Sequence, residues 1–453
     1  MIIAWCAPGQ CSLSSTGSQV RDRSVNSDTS SLLRRRERLL GSAYSLFYRE
    51  PLHLVRGEGV WLYDANGRKY LDMYNNVPHV GHCHPRVVDA MCEQAALLNT
   101  HTRYLHENVL DYAERLTAKL PDELDTAMFC CTGSEANELA LRIARSVTGA
   151  RGVIVTDYAY HGNSQATWEI SPEDCSDEHR PDYVVTVPSP DRYRGRYRGD
   201  DAGERYAAHV QDAVDVLAER GIKPAAFIID TIVSSGGVVV PPVGYLSKAA
   251  ATVRQAGGLF IADEVQPGFG RTGKNFWGFA AEPVVPDIVT MGKPMGNGHP
   301  VAGVVTRADL AAALAGKGGY FNTFGGNPVS CAAALAVLDI IEEEALQQNA
   351  LRVGQHIADA LRKLSDRHEC IGDVRGNGLF IALELVTDRE QRLPAAALAS
   401  ATVNDLRDRG VLTGSIGPDN NVLKLRPPMV LSRADADFML GVLDRSLEAG
   451  TDM

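Results

Sequence analysis

Two residues, Asp263 and Lys293, have the types and positions that covalent catalysis requires. Asp263 follows the apolar run 259–262, a pattern that predicts a buried strand with a carboxylate at its carboxyl end. Lys293 follows a second short apolar run, 288–290. A carboxylate and an amine buried at strand ends destabilise a fold unless they are paired or used. We therefore expect both residues to be functional.

Pyridoxal phosphate is a cofactor that needs this pair of groups. Its aldehyde condenses with a lysine amine, and a carboxylate keeps its ring nitrogen protonated so that the ring draws electrons. We predict that Lys293 binds the cofactor and, once released, removes a proton from the substrate carbon that bears nitrogen. Asp263 is the predicted partner of the ring nitrogen. Taken alone, Lys293 also fits an ordinary surface loop.

A candidate site for the cofactor phosphate lies at residues 132–137, Thr-Gly-Ser-Glu-Ala-Asn, between the predicted strand 127–130 and a predicted helix. The backbone N–H groups of Gly133 and Ser134 and the positive helix end would attract an anion. An ordinary serine N-cap explains the same pattern. The anion site is preferred because the candidate amine and carboxylate accompany it.

The flat cofactor ring needs face-on partners, and two segments supply candidates. Tyr160 precedes Gly162 by two residues, which lets its ring stack while the backbone stays close. Asp263 and Val265 point to the same side of an extended segment, so Val265 is assigned to the ring face. Gln266 is then placed to donate a hydrogen bond to the ring hydroxyl.

Four motifs occur in one order along the chain: residues 132–137, 160–162, 263–266 and 291–293. In these motifs and their spacing the sequence resembles class III (subgroup II) aminotransferases of pyridoxal phosphate fold type I, from about Tyr48 to the C-terminus. The resemblance implies an α/β fold, with a large domain built on a mostly parallel sheet covered by helices and a smaller α+β domain. It also implies that His161 contacts the cofactor. Thr323 would reach the cofactor phosphate of the neighbouring subunit, in a homodimer with shared active sites.

Four further stretches are similar to one branch of that family, the ethanolamine-phosphate and phosphohydroxylysine phospho-lyases: residues 75–85, 169–172, 291–302 and 321–331. This resemblance implies β-elimination of phosphate from a phosphorylated amino alcohol. The alternative is a class III ω-transaminase, which moves an amino group between an amine or amino acid and a keto acid. The same core residues serve both reactions.

The sequence departs from the amino-acid aminotransferases at two positions. Ser235 stands where many members have a glutamate, and Lys424 stands where they have the arginine that pairs with it. Lysine is a point charge without the planar fork that grips a carboxylate, which puts the usual dual-substrate switch in question. Asp230 replaces another common glutamate, a change interpreted as structural.

A phosphorylated substrate needs cations or hydrogen-bond donors near the cofactor. Candidates come from segments that line substrate sites in the family: Tyr48, Arg49, Arg103, Lys424 and Arg426. Each of them alone also fits a surface or structural role.

Two rival interpretations belong to other functional classes. A metal-binding or regulatory protein could use His79, His82, Cys83 and His84, but this cluster is too compressed for the spaced pairs of a four-ligand zinc site, and no metal is expected. A cofactor-binding pseudoenzyme is disfavoured because the lysine and the carboxylate are both present.

The bulk of the chain must position these residues. It has 453 residues, 45% hydrophobic and 22% charged, which predicts more than one domain. The expected division is a mobile leader over 1–32, an N-terminal segment over 33–84 that joins the small domain, a large cofactor-binding domain over 85–330 and a C-terminal small domain over 331–453. Helices alternate with six predicted strands: 127–130, 153–156, 183–187, 226–229, 259–262 and 288–290.

Charge and cysteine content limit the partners and the compartment. The net charge of −11 disfavours binding to nucleic acid or to an anionic membrane surface, and no apolar run reaches transmembrane length. The nine cysteines are scattered without a Cys-x-x-Cys pair. We expect free thiols in a reducing compartment, with the cytoplasm as the location.

Overall fold

The computed structural model describes residues 29–315 and 318–451. This part of the chain contains a 3₁₀ helix, Gly278–Ala281, and the following α-helices: α1 Thr29–Leu40, α2 Pro85–Leu97, α3 Glu107–Thr117, α4 Gly133–Thr148, α5 Gln165–Glu169, α6 Ala202–Glu219, α7 Tyr245–Gln255, α8 Ala308–Ala315, α9 Pro328–Glu343, α10 Leu346–Ser365, α11 Ala396–Asp408 and α12 Arg433–Thr451. The strands are β1 Leu54–Glu58, β2 Trp61–Asp64, β3 Lys69–Asp72, β4 Thr126–Cys130, β5 Gly152–Thr156, β6 Val184–Val187, β7 Pro224–Asp230, β8 Leu259–Asp263, β9 Ile288–Met291, β10 Ala302–Thr306, β11 Ile371–Asn377, β12 Phe380–Asp388, β13 Leu393–Pro394, β14 Val411–Leu412, β15 Gly414–Ile416 and β16 Val422–Leu425.

The central sheet has seven strands in the order β4-β10-β9-β8-β7-β5-β6. All six predicted strands are present in it, and the predicted mostly parallel α/β fold is confirmed. The strand that the sequence pattern missed is β10, which pairs antiparallel with both β4 and β9. Strands β7, β8 and β9 run parallel, with Asp230 opposite Asp263 and Asp263 opposite Thr290. The carboxyl ends of these strands therefore meet at one edge of the sheet.

Two smaller sheets lie outside the central one. The first has the order β1-β2-β3-β14, and its parallel β14–β3 pair joins a segment near the C-terminus to the N-terminal strands. Strands β2 and β3 form a hairpin, whose turn needs the positive φ of +82° at Gly67. The second sheet has the order β11-β12-β16-β15. The domain boundaries given above remain predictions.

Helix α9 is rich in alanine and packs in the interior. The N-cap residue Asn327 precedes the helix, and its side chain accepts a hydrogen bond from Ser330 N–H. A proline occupies the first helical position. Most of the helix is buried, including Val337, Ile340 and Ile341. Each such side chain contributes about 1.5–3 kcal/mol by leaving water, and the alanines let α2 and α3 pack against α9.

The start of the chain and the cysteines complete the description. Residues 1–28 of the predicted leader lie outside the described part of the chain, and residues 29–32 belong to α1. The seven cysteines that the structure describes are free thiols. Within the described residues, no helix is long and apolar enough to span a bilayer.

Candidate active site

A cavity at the carboxyl edge of the central sheet brings together eight of the nine residues predicted to bind the cofactor. These eight line it together with three others, Asn137, Gly162 and Asp230. The eight are Gly133, Ser134, Tyr160, His161, Asp263, Val265, Gln266 and Lys293. Segments that are distant in sequence therefore form one site.

The amino end of α4 forms one wall of this cavity. Thr132 caps the helix, accepting a hydrogen bond from Glu135 N–H at 3.1 Å, and Glu135 reaches back to Thr132 N–H at 2.9 Å. This capping box fixes the turn. The first hydrogen bond of the helix is donated by Ala136 N–H to the Thr132 carbonyl. The N–H groups of Gly133 and Ser134 precede this bond, take no part in the helical ladder and can bind an anion.

The Asp263 carboxylate is held by donors from three segments. Its Oδ2 atom lies 2.8 Å from the Asn137 amide nitrogen and 2.7 Å from Nδ1 of His161, and Oδ1 accepts a bond from Val265 N–H at 3.1 Å. A carboxylate can only accept, so both side chains donate to it. Asn137 is itself fixed by the Thr290 hydroxyl at 2.6 Å. The carboxylate therefore has one orientation before any ligand binds.

Two features of the cavity fit pyridoxal phosphate. The Nε2 atom of His161 is buried and has no hydrogen-bond partner among the described residues, as expected of a polar atom beside a polar ligand. Two of the lining residues are glycines whose surroundings leave no room for a side chain. A Cβ on Gly133 would lie 2.9 Å from Val265, and one on Gly162 would lie 2.5 Å from the Ser134 hydroxyl. A flat, anionic, hydrogen-bonding group suits this space.

Lys293 has the properties of a reactive amine. Burial lowers its pKa below the ordinary lysine value, the Arg426 guanidinium lowers it further, and Asp263 and Asp230 act in the opposite direction. A lowered pKa increases the neutral fraction of the amine near neutral pH. The neutral amine is both the nucleophile and the base that the predicted chemistry needs.

A chain of hydrogen bonds runs along the floor of the site. Arg426 donates to the Gln266 side-chain oxygen, Gln266 donates to the Ser234 hydroxyl, and Ser234 donates to Asp230. Burial and the neighbouring Asp263 raise the pKa of Asp230. The predicted role of Gln266 at the ring hydroxyl remains a prediction, because here its amide donates to Ser234.

Two of the substrate-binding candidates are buried. They are Arg426, the first donor in this series of hydrogen bonds, and Lys424, two residues before it. Burial lowers the pKa of Lys424 well below its ordinary value, with repulsion from Arg426 and Lys293 adding to the effect. Burial also lowers the pKa of Arg426 to about 10. Both cations face one aromatic ring, since Lys424 Nζ and Arg426 Cζ lie 5.7 and 5.4 Å from the centre of the Tyr74 ring.

The other candidates lie elsewhere. The Tyr48 hydroxyl donates to the Thr413 carbonyl at 3.0 Å, so it supports the strand region next to Lys424. Arg49 is exposed, and its backbone N–H donates to the Asn404 side-chain oxygen at 2.9 Å. Arg103 lies over the Phe321 ring, with Cζ 3.9 Å from the ring centre.

Thr323 follows Phe321 on the surface, is exposed, and does not line the cavity of its own chain. The histidine cluster does not converge either. His79 contacts the Phe269 carbonyl, His82 contacts Asp72 and His84 contacts Glu344. Across the described residues, no three side chains of metal-ligating type come together.

Asn137 and Ser234 were not assigned a role from the sequence, and Asp230 was interpreted as structural although it lines the cavity. Asn137 could have been found, because it lies one helical turn after Gly133 and shares its face of α4. Asp230 and Asp263 both end adjacent parallel strands, a pattern that points to a shared edge. No local signal identifies Ser234.

The fold and this site define an enzyme that uses pyridoxal phosphate. The chain belongs to the class III aminotransferase family, since the family described as Aminotransferase class-III matches residues 47–447. Its cofactor is pyridoxal phosphate, as the family and its solved structures imply.

Three similar proteins illustrate the range of activities in this family. The alanine–glyoxylate aminotransferase 2-like protein of Drosophila melanogaster is 47% identical and covers 90% of this chain and 85% of its own. The ethanolamine-phosphate phospho-lyase homolog 1 of Caenorhabditis elegans is 42% identical and covers 92% and 93%. A solved phospholyase from Arthrobacter in complex with phosphoethanolamine is 45% identical, covers 92% and 99%, and superposes with a TM-score of 0.89.

Proposed function

We propose that this enzyme is a carbon–oxygen lyase that eliminates phosphate from a phosphorylated amino alcohol. With ethanolamine phosphate and one water molecule, the products are acetaldehyde, ammonia and inorganic phosphate. A related phospho-amine would react in the same way. Support comes from the phospho-lyase relative and the phosphoethanolamine-bound structure described above, and from two cations of the chain itself.

The observation that carries the proposal is the pair Lys424 and Arg426. Both are buried, and in the described parts of the chain neither has a carboxylate within 4.0 Å of its charged nitrogens. Buried cations without ion-pair partners destabilise a protein. A substrate phosphate would offset that instability through short charge-assisted hydrogen bonds, and Arg426 can provide two of them in parallel.

The residues of the chain divide the work as follows. Pyridoxal phosphate supplies an aldehyde that condenses with amines and a ring that accepts electrons. The Gly133 and Ser134 amides would bind its phosphate, and Asp263 would hold a proton on its ring nitrogen. The neutral Lys293 amine takes the proton from the substrate carbon that bears nitrogen.

Elimination then depends on the two cations at the other end of the substrate. Lys424 and Arg426 stabilise the negative charge that develops on the phosphate as the carbon–oxygen bond breaks. The products leave as phosphate and as an enamine, which water converts to the aldehyde and ammonia.

The test is the stoichiometry of products without an amino acceptor. Purified holoenzyme with ethanolamine phosphate and no keto acid should release phosphate, ammonia and acetaldehyde in equal amounts over many turnovers. Lys293→Ala is the control and should release none. No phosphate release, or activity that appears only when a keto acid is added, would refute the lyase.

The alternative is a class III ω-transaminase. The 47% identity to the alanine–glyoxylate aminotransferase 2-like protein favours it. Ser235 and Lys424 weigh against it, because they replace the glutamate–arginine pair expected at those positions. A transaminase would consume a keto acid in proportion to the amine converted, which the same assay measures.

The proposal includes a homodimer in which Thr323 binds the cofactor phosphate of the partner. Support comes from exposed apolar residues in the segment of Thr323 and in a segment that contacts it. Phe324 follows Thr323 and is 68% exposed, and Leu105, which is 95% exposed, lies two residues after Arg103, whose guanidinium packs on the Phe321 ring. Apolar surface of this kind commonly marks a protein interface. The proposed location is the cytoplasm, a reducing compartment that suits the free thiols.

A further inference from the structure

A third buried cation, Arg271, has no part in the mechanism above. Its side chain is fully buried, and among the residues that the structure describes no carboxylate lies within 4.0 Å of its guanidinium. Nη1 donates to the carbonyls of Leu379 and Pro427 at 3.1 and 2.7 Å. A buried cation that only neutral acceptors satisfy is a poor stabiliser of a fold.

The third partner of Arg271 is the buried ring of His79. Nη2 of Arg271 lies 3.1 Å from Nδ1 of His79, and Nε2 of His79 lies 2.8 Å from the Phe269 carbonyl oxygen. A guanidinium can only donate and a carbonyl can only accept. Nδ1 is therefore the acceptor, Nε2 carries the proton, and His79 is held neutral in one tautomer.

Arg271 binds the segment that carries Arg426. Strand β16 ends at Leu425, and Arg426 is followed by Pro427 and Pro428. Prolines have no N–H group, so this segment cannot continue a strand ladder, and its buried carbonyls need donors from elsewhere. Arg271 is the donor to the Pro427 carbonyl, one residue after Arg426.

The other bonds of this segment reach residues 73–79. Arg426 N–H donates to the Met73 carbonyl at 2.7 Å, and Met429 N–H donates to the His79 carbonyl at 2.8 Å. Nε of Arg426 donates to the Tyr74 carbonyl at 3.3 Å. His79 therefore contacts the segment through its backbone and supports Arg271 through its ring.

The turn that presents Arg271 is strained. Phe269, whose carbonyl accepts from His79, has a φ of +63°, and Gly270 and Gly273 have φ values of +77° and +76°. An aromatic residue in the left-handed region persists only where its surroundings fix it, and such residues cluster at functional sites. The strain indicates that this turn serves the placement of Arg271.

We infer that Arg271 is a positioning residue for Arg426, which holds the Pro427 carbonyl and thereby sets where the Arg426 guanidinium meets the phosphate of the substrate. This inference rests on the proposed function, in which Arg426 binds that phosphate. A planar guanidinium forms parallel bonds only in one orientation, so a shift of its backbone by about 1 Å weakens phosphate binding.

The experiment is a double-mutant cycle, measured as binding of inorganic phosphate to the holoenzyme by titration calorimetry. Bound cofactor would fill the amino end of α4, so added phosphate reports the substrate end of the site. Arg271→Lys and Arg426→Lys should each weaken binding about tenfold, as one charge-assisted hydrogen bond is lost or misplaced. Lysine has no planar fork to orient. The double variant should therefore bind phosphate within twofold of Arg426→Lys, whereas independent effects would multiply to about 100-fold.

Two substitutions of His79 keep the test independent of how Arg271→Lys folds. His79→Asn places an amide oxygen near the position of Nδ1, where it can accept from Arg271, and should bind phosphate within twofold of the wild type. His79→Leu removes the acceptor and should weaken binding about two- to tenfold. The matched control is Arg362→Lys at an exposed arginine, which should leave phosphate binding unchanged.

Three results would overturn the inference. They are a double variant in which the two single effects multiply, equal phosphate binding in His79→Leu and His79→Asn, and a wild-type holoenzyme that binds no phosphate.

The same measurements separate this inference from the proposed lyase. A non-additive cycle without phosphate release from ethanolamine phosphate would refute the lyase and retain the role of Arg271. Phosphate release together with an additive cycle would refute the role of Arg271 alone.

Discussion

Replacing Lys424 by methionine should have opposite effects on activity and on stability. The side chain is buried with no carboxylate within 4.0 Å in the described residues, and burial lowers its pKa well below the ordinary value. Methionine fills a similar volume without a charge. If Lys424 served mainly to stabilise the fold, its replacement would lower both stability and activity. If it serves mainly to bind the substrate, its replacement lowers activity alone.

The size of each effect follows from the environment of Lys424. Loss of one charge-assisted hydrogen bond to the substrate phosphate costs about 1.5–3 kcal/mol, which lowers kcat/KM for ethanolamine phosphate about 10- to 150-fold. Removing a poorly paired buried cation should raise the free energy of unfolding by about 1 kcal/mol.

The difference in unfolding free energy between the wild type and Lys424→Met should depend on pH, and the pKa of Lys424 sets the direction of that dependence. The folded state holds the proton on Lys424 less tightly than the unfolded chain, whose lysine pKa is about 10.4. Between the lowered folded pKa and about 10.4, the unfolded chain binds more protons, so the wild type becomes more stable as pH rises. The advantage of Lys424→Met should therefore shrink as pH rises from the lowered folded-state pKa of Lys424 towards about 10.4.

The assay compares urea midpoints and kcat/KM of holoenzymes, with exposed Lys363→Met as the matched control. The control should leave both quantities unchanged. The reasoning is refuted if Lys424→Met unfolds at a lower urea concentration than the wild type, or if it retains full kcat/KM.

Three further predictions concern other parts of the molecule. Asn137→Ala should lower kcat about 10- to 100-fold, because Asp263 loses the donor that fixes its Oδ2 atom; steady-state kinetics with unchanged kcat would contradict this. Burial raises the pKa of Glu264 to about 7, so its folded form binds more protons than the unfolded chain above about pH 4.5. The wild type should therefore lose stability relative to Glu264→Gln by on the order of 3 kcal/mol as pH rises from about 4.5 to 7, measured by urea unfolding, and a constant difference would count against it. Leu105→Glu should convert the proposed dimer to a folded monomer in light scattering, because a charge would be buried at the proposed interface; an unchanged dimer would remove Leu105 from that interface.

The central strands could be predicted because each is a short apolar run that ends in a polar residue. Strand β8 ends at Asp263 and β7 ends at Asp230, and both runs are fully apolar before that point. Strand β10 escaped the same reasoning. Its five residues, Ala302–Thr306, begin directly after a glycine- and proline-rich loop, and its antiparallel pairing depends on β4, which lies far away in sequence.

Eight of the nine residues predicted to bind the cofactor line one cavity, because each of the eight belongs to a local motif at the end of a strand or the start of a helix. The substrate end of the site could be predicted only in part. Lys424 was singled out as a departure from the family, but its position over the Tyr74 ring is a contact between distant segments. Composition and periodicity describe neighbours in sequence, so only the folded chain brings Tyr74, Lys424 and Arg426 together.

The most direct test of the central claim is the fate of oxygen when ethanolamine phosphate reacts in water enriched in heavy oxygen. Elimination breaks the carbon–oxygen bond, so the bridging oxygen leaves with the phosphate and the released phosphate should carry no label. Hydrolysis at phosphorus would place one labelled oxygen in every phosphate. Unlabelled phosphate, abolished by Lys293→Ala, is the result we predict. Labelled phosphate, or phosphate release that survives Lys293→Ala, would contradict the assignment of this enzyme as a phospho-lyase.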